Sequence, residues 1–177
     1  MTRVVFMCGP AGSGKSTIAR ELESGGMARL SFDEEAWVRG IQSQPLDEEV
    51  RLEIESHLRQ RLLDLVMEQA DVVLDYSFWS RRMREDYRAI LRPLGIDPET
   101  IYLATPRKVA LARVHARAGH EPNEVQLPDE LAAAYFDHFE VPTPDEGPLT
   151  VVAEARRFHP RAGGNDLGQV LLQFTRR

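Results

Sequence analysis

Eight residues near the amino terminus carry the sharpest chemical signal. Gly9-Pro10-Ala11-Gly12-Ser13-Gly14-Lys15-Ser16 satisfies G-x-x-x-x-G-K-[ST] at every fixed position. Glycines there let the backbone wrap closely around a phosphate and turn its N–H groups inward. A helix that begins at the loop aims its positive end at the same anion. Lys15 is then expected to reach the β- and γ-phosphates of a nucleotide, and the Ser16 hydroxyl to ligate Mg²⁺. Gly9, Ala11, Gly12, Ser13, Gly14, Lys15, Ser16 and Thr17 form the expected nucleotide-binding set, with Thr17 either a helix residue or a phosphate contact.

Three further groups could complete such a site. Asp75 ends the apolar run Val72-Val73-Leu74 and is followed by Tyr76. A strand-end acid of this kind sits near Mg²⁺, and without a following Glu to activate water the pattern suits phosphoryl transfer rather than hydrolysis. Asp33, after Leu30-Ser31-Phe32, is expected beside the phosphate loop, where it could accept the proton of an attacking hydroxyl. With Glu34 and Glu35 next to it, an acidic first turn of a helix is the other reading. Arg113 and Arg117 lie four apart on one helical face and could grip phosphate oxygens, with residues 113–130 as a lid that excludes water. Arg81, Arg82, Arg84, Arg88 and Arg92 read as a plain surface helix, partly partnered by Glu85 and Asp86. Cys8 reads as a small buried filler, and the five histidines show no metal spacing.

Those residues need a frame, and hydrophobic periodicity supplies one. Short β-prone runs at Thr2–Cys8, Ala28–Phe32, Asp71–Asp75, Thr100–Ala104 and Leu149–Ala153 alternate with helical stretches. The helices are expected at Ser16–Glu23, Leu46–Gln69, Arg81–Leu91, from Thr105-Pro106 to about Ala118, Asp129–Phe139 and Asp166–Phe174. In the longest, Val50, Ile54, Leu58, Leu62, Leu65 and Val66 fall three and four apart. Thr105 is placed to cap its helix and Pro106 to occupy the first turn. Alternation of this kind predicts an α/β fold, a five-stranded parallel sheet flanked by helices, in one domain over 1–177. Ligands in such sheets sit beyond the carboxyl ends of the strands.

Composition removes several function classes. The chain has 177 residues with 22 basic and 28 acidic side chains, a formal charge of −6, which argues against a nucleic-acid partner. With one cysteine, neither an internal disulfide nor a cysteine-rich zinc site can form. No run of about 18 apolar residues exists to span a membrane, and no signal peptide opens the chain, so a cytoplasmic location is expected. Lysine occurs only at 15 and 108, and the Asn-Lys-x-Asp guanine signature is missing, which closes the GTPase reading. Between Ala118 and Ala155 every charged residue is acidic, which either serves solubility or forms a rim for a cationic acceptor.

With these residues in hand, the chain resembles the small bacterial P-loop kinases of the AAA-type ATP-binding, polynucleotide kinase, zeta toxin and chloramphenicol phosphotransferase group. The resemblance runs from Val4 to about Gly147. It rests on Gly9–Thr17, Ser31-Phe32-Asp33, Val72–Asp75 with Phe78 and Arg81 or Arg82, Arg113 and Arg117, and Phe139-Glu140 with Pro142–Glu146. It implies ATP- and Mg²⁺-dependent transfer of the γ-phosphate to a hydroxyl, a base at Asp33, and lid arginines at Arg113 and Arg117, with Arg113 placed to stack on adenine. Polynucleotide kinases usually carry an Arg three residues after the base, where this chain has Ala36. The expected acceptor is therefore a small molecule with a hydroxyl. A nucleotide or polynucleotide 5′-hydroxyl kinase and an ATP-binding switch without transfer are the alternatives.

Overall fold

Alternation along the strands decides which side of the sheet each residue covers. In the computed structural model, which describes residues 2–42, 44–117 and 127–153, Val4, Phe6 and Cys8 point into one apolar layer. Val5 and Met7 point into the other. All five residues of this first strand are buried on both faces, as a central parallel strand requires.

The order of elements is β1 (Val4–Cys8), α1 (Lys15–Ser24), β2 (Ala28–Ser31), α2 (Phe32–Val38), α3 (Glu48–Met67), β3 (Val72–Asp75) and α4 (Arg81–Leu91). A 3-10 turn (Arg92–Leu94), β4 (Glu99–Leu103), α5 (Arg107–Arg117), α6 (Asp129–Asp137), a second 3-10 turn (Pro144–Glu146) and β5 (Leu149–Val152) complete it. All pairings are parallel, in the order β2-β3-β1-β4-β5. The α/β expectation of a five-stranded parallel sheet flanked by helices therefore holds.

One layer joins α3 to the sheet through Ile54, Leu58, Leu62, Leu65 and Val66, five of the six residues the periodicity singled out. Phe78 and Tyr87 close it, with Phe78 stacked on Phe6 at 4.4 Å between centroids and Tyr87 edge-on to both. Such aromatic contacts add about 0.5–1.5 kcal/mol each beyond area burial. The other layer packs Ala19 and Leu22 of α1 against Val5, Met7, Val73 and Ile101.

Two local expectations change. The second strand stops at Ser31, not Phe32, because the Ser31 hydroxyl accepts the Glu34 amide (3.3 Å) and starts α2 there. Asp33, Glu34 and Glu35 then occupy a first turn whose dipole favours negative charge. Thr105 does not serve as the predicted cap: its hydroxyl donates to the Ser13 carbonyl (2.9 Å) and ties α5's approach to the phosphate loop. The expected helix at 166–174 and the lid residues 118–126 lie outside the described residues.

Candidate active site

The loop between β1 and α1 takes the shape its glycines permit. Gly12 and Gly14 have φ of 76° and 100°, in the left-handed region that other residues rarely adopt. A Cβ on Gly12 would lie 2.2 Å from the Ala110 carbonyl oxygen, so α5 approaches the loop as closely as backbone allows. Gly14 caps α1 with no side chain, and the first turn of α1 holds no acid. The amide end of α1 is thus left to an anion. The Lys15 ammonium folds over the loop and donates to the Pro10 carbonyl (2.9 Å). The Ser13 hydroxyl is buried in the loop interior with no hydrogen-bond partner. Left-handed glycines, an uncapped helix end and a lysine at the loop mouth fit a nucleotide's phosphates.

The loop is fixed from three sides. The Gly9 amide donates to the Ser77 carbonyl (3.1 Å), Thr105 holds Ser13, and Arg113 Nη1 reaches the Gly12 carbonyl (3.4 Å). Ser16 is half-buried in the first turn of α1, while Thr17 faces solvent as a helix residue. Asp75 ends β3 with its side chain 2% exposed. Val73, two residues earlier, packs in the layer that contains α1, so strand alternation turns Asp75 toward the same side. One hydroxyl and one carboxylate suit Mg²⁺, which keeps several waters and binds substrate phosphates.

Asp33 stands one strand further out than the sequence reading implies. The neighbour of β1 is β3, so the end of β3 with Asp75 lies between the phosphate loop and the edge strand β2. Asp33 occupies the first turn of α2, exposed, on the carboxyl side of the sheet where ligands enter. Arg113 is half-buried against the loop, beside a shallow hollow of about 390 Å³ lined by Lys108, Val109, Ala112, Arg113 and Ala116. Arg117 ends α5, and its side chain lies outside the described residues. Burial pushes the Cys8 thiol up to about 12, and Sγ donates to the Phe78 carbonyl, so Cys8 is a filler as read.

Three arginines matter more than their sequence context suggested. Arg29, in β2, is 5% exposed and bonds Glu23, Glu34 and Asp75. Arg84 and Arg88 are buried, which corrects the reading of α4 as a plain surface helix. Arg84 grips Glu146 with two bonds (2.6 and 3.0 Å) and donates to the carbonyls of Phe78 and Glu140 (both 2.8 Å). Arg88 donates to Thr100 Oγ1 and the Pro98 carbonyl, over the Phe6 ring. Through the Phe78 carbonyl Arg84 also restrains Phe78, whose backbone is left-handed at φ 46°. The one available signal was an Arg in the middle of a short apolar strand, at position 29.

The acid-only stretch is used internally. Asp129 pairs with His115, Asp137 with Arg107, Asp145 with Arg81 and Glu146 with Arg84, while Glu140 accepts the Arg81 amide. Among the described residues of the stretch, these acids bind α4 and α5 to the segments that follow them. Glu130 stands outside these pairs, so among the described residues little unpaired charge is left for an acidic rim facing a cationic acceptor, while Glu121, Glu124 and Glu154 lie outside the described residues.

Comparison with known proteins places this geometry among relatives. A family model described as an AAA domain matches residues 4–142. No curated protein sequence matches the chain. Among solved structures, a protein of Chloroflexus aurantiacus is similar over 99% of both chains, with TM-score 0.70 and 17% identity. A sugar kinase of Janibacter sp. is similar over 86% of this chain and 85% of its own, with TM-score 0.62 and 24% identity. In a Pnkp1/Rnl/Hen1 complex, 63% of this chain matches at TM-score 0.59 and 18% identity, and it spans only 38% of that partner's length. The fold is that of the P-loop kinase group.

Proposed function

Since the chain belongs to the AAA domain family, we propose that it is a kinase that transfers the γ-phosphate of ATP to a hydroxyl of a small molecule in the cytoplasm. The observation that carries this reading is the phosphate loop, with its left-handed glycines, uncapped α1 and Lys15 at the mouth. A nucleotide rather than a bare phosphate fits the Arg113 side chain and the hollow beside it on α5. Asp75 followed by Tyr76, rather than by a water-activating Glu, supports transfer over hydrolysis. The likeness to a sugar kinase is compatible with a hydroxyl acceptor.

Ser16 and Asp75 would hold Mg²⁺, which when bound neutralises phosphate charge. The chain's own residues then divide the remaining work. Lys15 and the amides of the loop orient the phosphates. Asp33 accepts the proton of the acceptor hydroxyl as its oxygen bonds to the γ-phosphorus. The bond from that phosphorus to the bridging oxygen breaks, and ADP leaves with the electron pair. Arg113 stabilises the charge that builds on the transferring group.

The test separates binding from transfer. Asp33→Asn should keep the ATP affinity of the native chain, measured by calorimetry, and lose about 10²–10⁴-fold in transfer rate. Loss of ATP binding in that variant would instead make Asp33 a metal or structural residue. Labelled phosphate on a short oligonucleotide, at several salt concentrations, would move the acceptor to a nucleic-acid 5′-hydroxyl.

A further inference from the structure

Arg29 is a buried cation at the junction of three elements that the transfer reaction uses. Strand register places Arg29 opposite Val73 and Ser31 opposite Asp75, so Arg29 and Asp75 face the same side of the sheet. Its guanidinium then divides its donors. Nε bonds Glu23 of α1 (3.0 Å), Nη1 bonds Asp75 Oδ2 at the end of β3 (3.1 Å), and Nη2 bonds Glu34 in the first turn of α2. Those are the phosphate-loop helix, the strand end that carries the metal-side acid, and the turn that carries Asp33.

Stability alone does not explain this arrangement. Burying a guanidinium is costly, and an apolar residue in a β-strand generally matches or exceeds a buried ion pair in stability. What an apolar residue cannot do is fix the direction of three carboxylates at once. A planar fork of five donors can, and a lysine point charge can do so only in part.

We propose that Arg29 is a positioning residue of the phosphoryl-transfer site. Through Nη1 it fixes the Asp75 carboxylate, so that the metal-side acid is held in place before a nucleotide arrives. Through Nη2 it holds Glu34, and with it the turn in which the neighbouring Asp33 meets the acceptor. The second half rests on the kinase reading above; the first half does not need an acceptor.

The experiment follows the two arms separately. Mg²⁺-dependent binding of a fluorescent, non-hydrolysable ATP analogue is titrated for the native chain, Arg29→Gln, Arg29→Lys and Glu34→Gln, each checked for folding by circular dichroism. Arg29→Gln should need about 10–100-fold more Mg²⁺ for half-saturation, with Arg29→Lys between it and the native chain. Glu34→Gln, at a half-exposed side chain whose ion-pair partner is Arg29 rather than Asp75, should keep the native Mg²⁺ dependence. Its kcat should fall about tenfold with the ATP KM unchanged. A folded Arg29→Gln, or Arg29→Lys where the former does not fold, with native Mg²⁺ half-saturation overturns the first arm. An unchanged kcat in Glu34→Gln overturns the second. Native protein that binds the Mg²⁺ nucleotide yet phosphorylates nothing defeats the kinase reading and leaves the first arm judged by the binding titration alone. Native protein without Mg²⁺-dependent binding defeats both.

Discussion

Gly12 shows how tightly a single residue can be constrained. Its φ of 76° excludes most side chains, and a methyl group would meet the Ala110 carbonyl at 2.2 Å. Gly12→Ala should therefore push α5 away from the phosphate loop. We expect a loss of about 1–3 kcal/mol in chemical denaturation and a weaker ATP affinity in calorimetry. At this scale the sequence was readable where function is local. Lys15, Ser16 and the glycines sit within eight residues, and their spacing alone defines a loop. It was silent where partners are distant in the chain: Arg29 meets Asp75 across 46 residues and Arg84 meets Glu146 across 62. No local pattern encodes such a pair. The position of Asp33 was half readable, since the acidic turn was visible but the strand order that sets its distance from the loop was not.

At the scale of elements, α4 is the joint between the turn after β3 and the segment that leads into β5. Arg84 holds both, through Phe78 on one side and Glu140 and Glu146 on the other. The turn it restrains also receives the Gly9 amide at Ser77, so the clamp reaches the phosphate loop. Arg84→Met would leave the Glu146 carboxylate and two carbonyls buried without their donor. We expect a loss of about 3–5 kcal/mol, seen as a melting temperature lower by about 10 °C. Arg84→Met with Glu146→Gln should recover part of that loss, because no charge is then left unpaired. Helix periodicity made α3 and α4 legible as elements. It misjudged what α4 does, because burial of an arginine depends on which carbonyls the fold delivers to it.

For the molecule as a whole, the net charge of −6 says less than the way opposite charges are paired. Arg81 and Arg84 of α4 pair with Asp145 and Glu146, and Arg107 of α5 pairs with Asp137. Glu146 is held below the usual glutamate range: burial alone would raise it, but the Arg84 and Thr143 bonds outweigh that. Hydrogen bonds from Thr143 and Arg81 lower Asp145, and the Arg107 guanidinium lowers Asp137. A carboxyl depressed in the folded state binds fewer protons there than in the unfolded chain. Its contribution is complete above the ordinary carboxylate range and is lost as pH falls through the folded-state value. The melting temperature should therefore hold near neutrality and drop as pH is taken below about 4. Glu146→Gln should flatten part of that slope in scanning calorimetry between pH 7 and 3.

In the proposed reaction the phosphate loop, Asp75 and Asp33 act together to move a phosphoryl group from ATP to a hydroxyl. The most direct measurement is ADP release with and without a panel of small hydroxyl compounds, for the native chain and Lys15→Ala. We expect slow release alone, a large stimulation by at least one compound with one phosphorylated product per ADP, and loss of both in Lys15→Ala. ATP bound at the loop with release that no acceptor stimulates, or stimulation that survives Lys15→Ala, would contradict it.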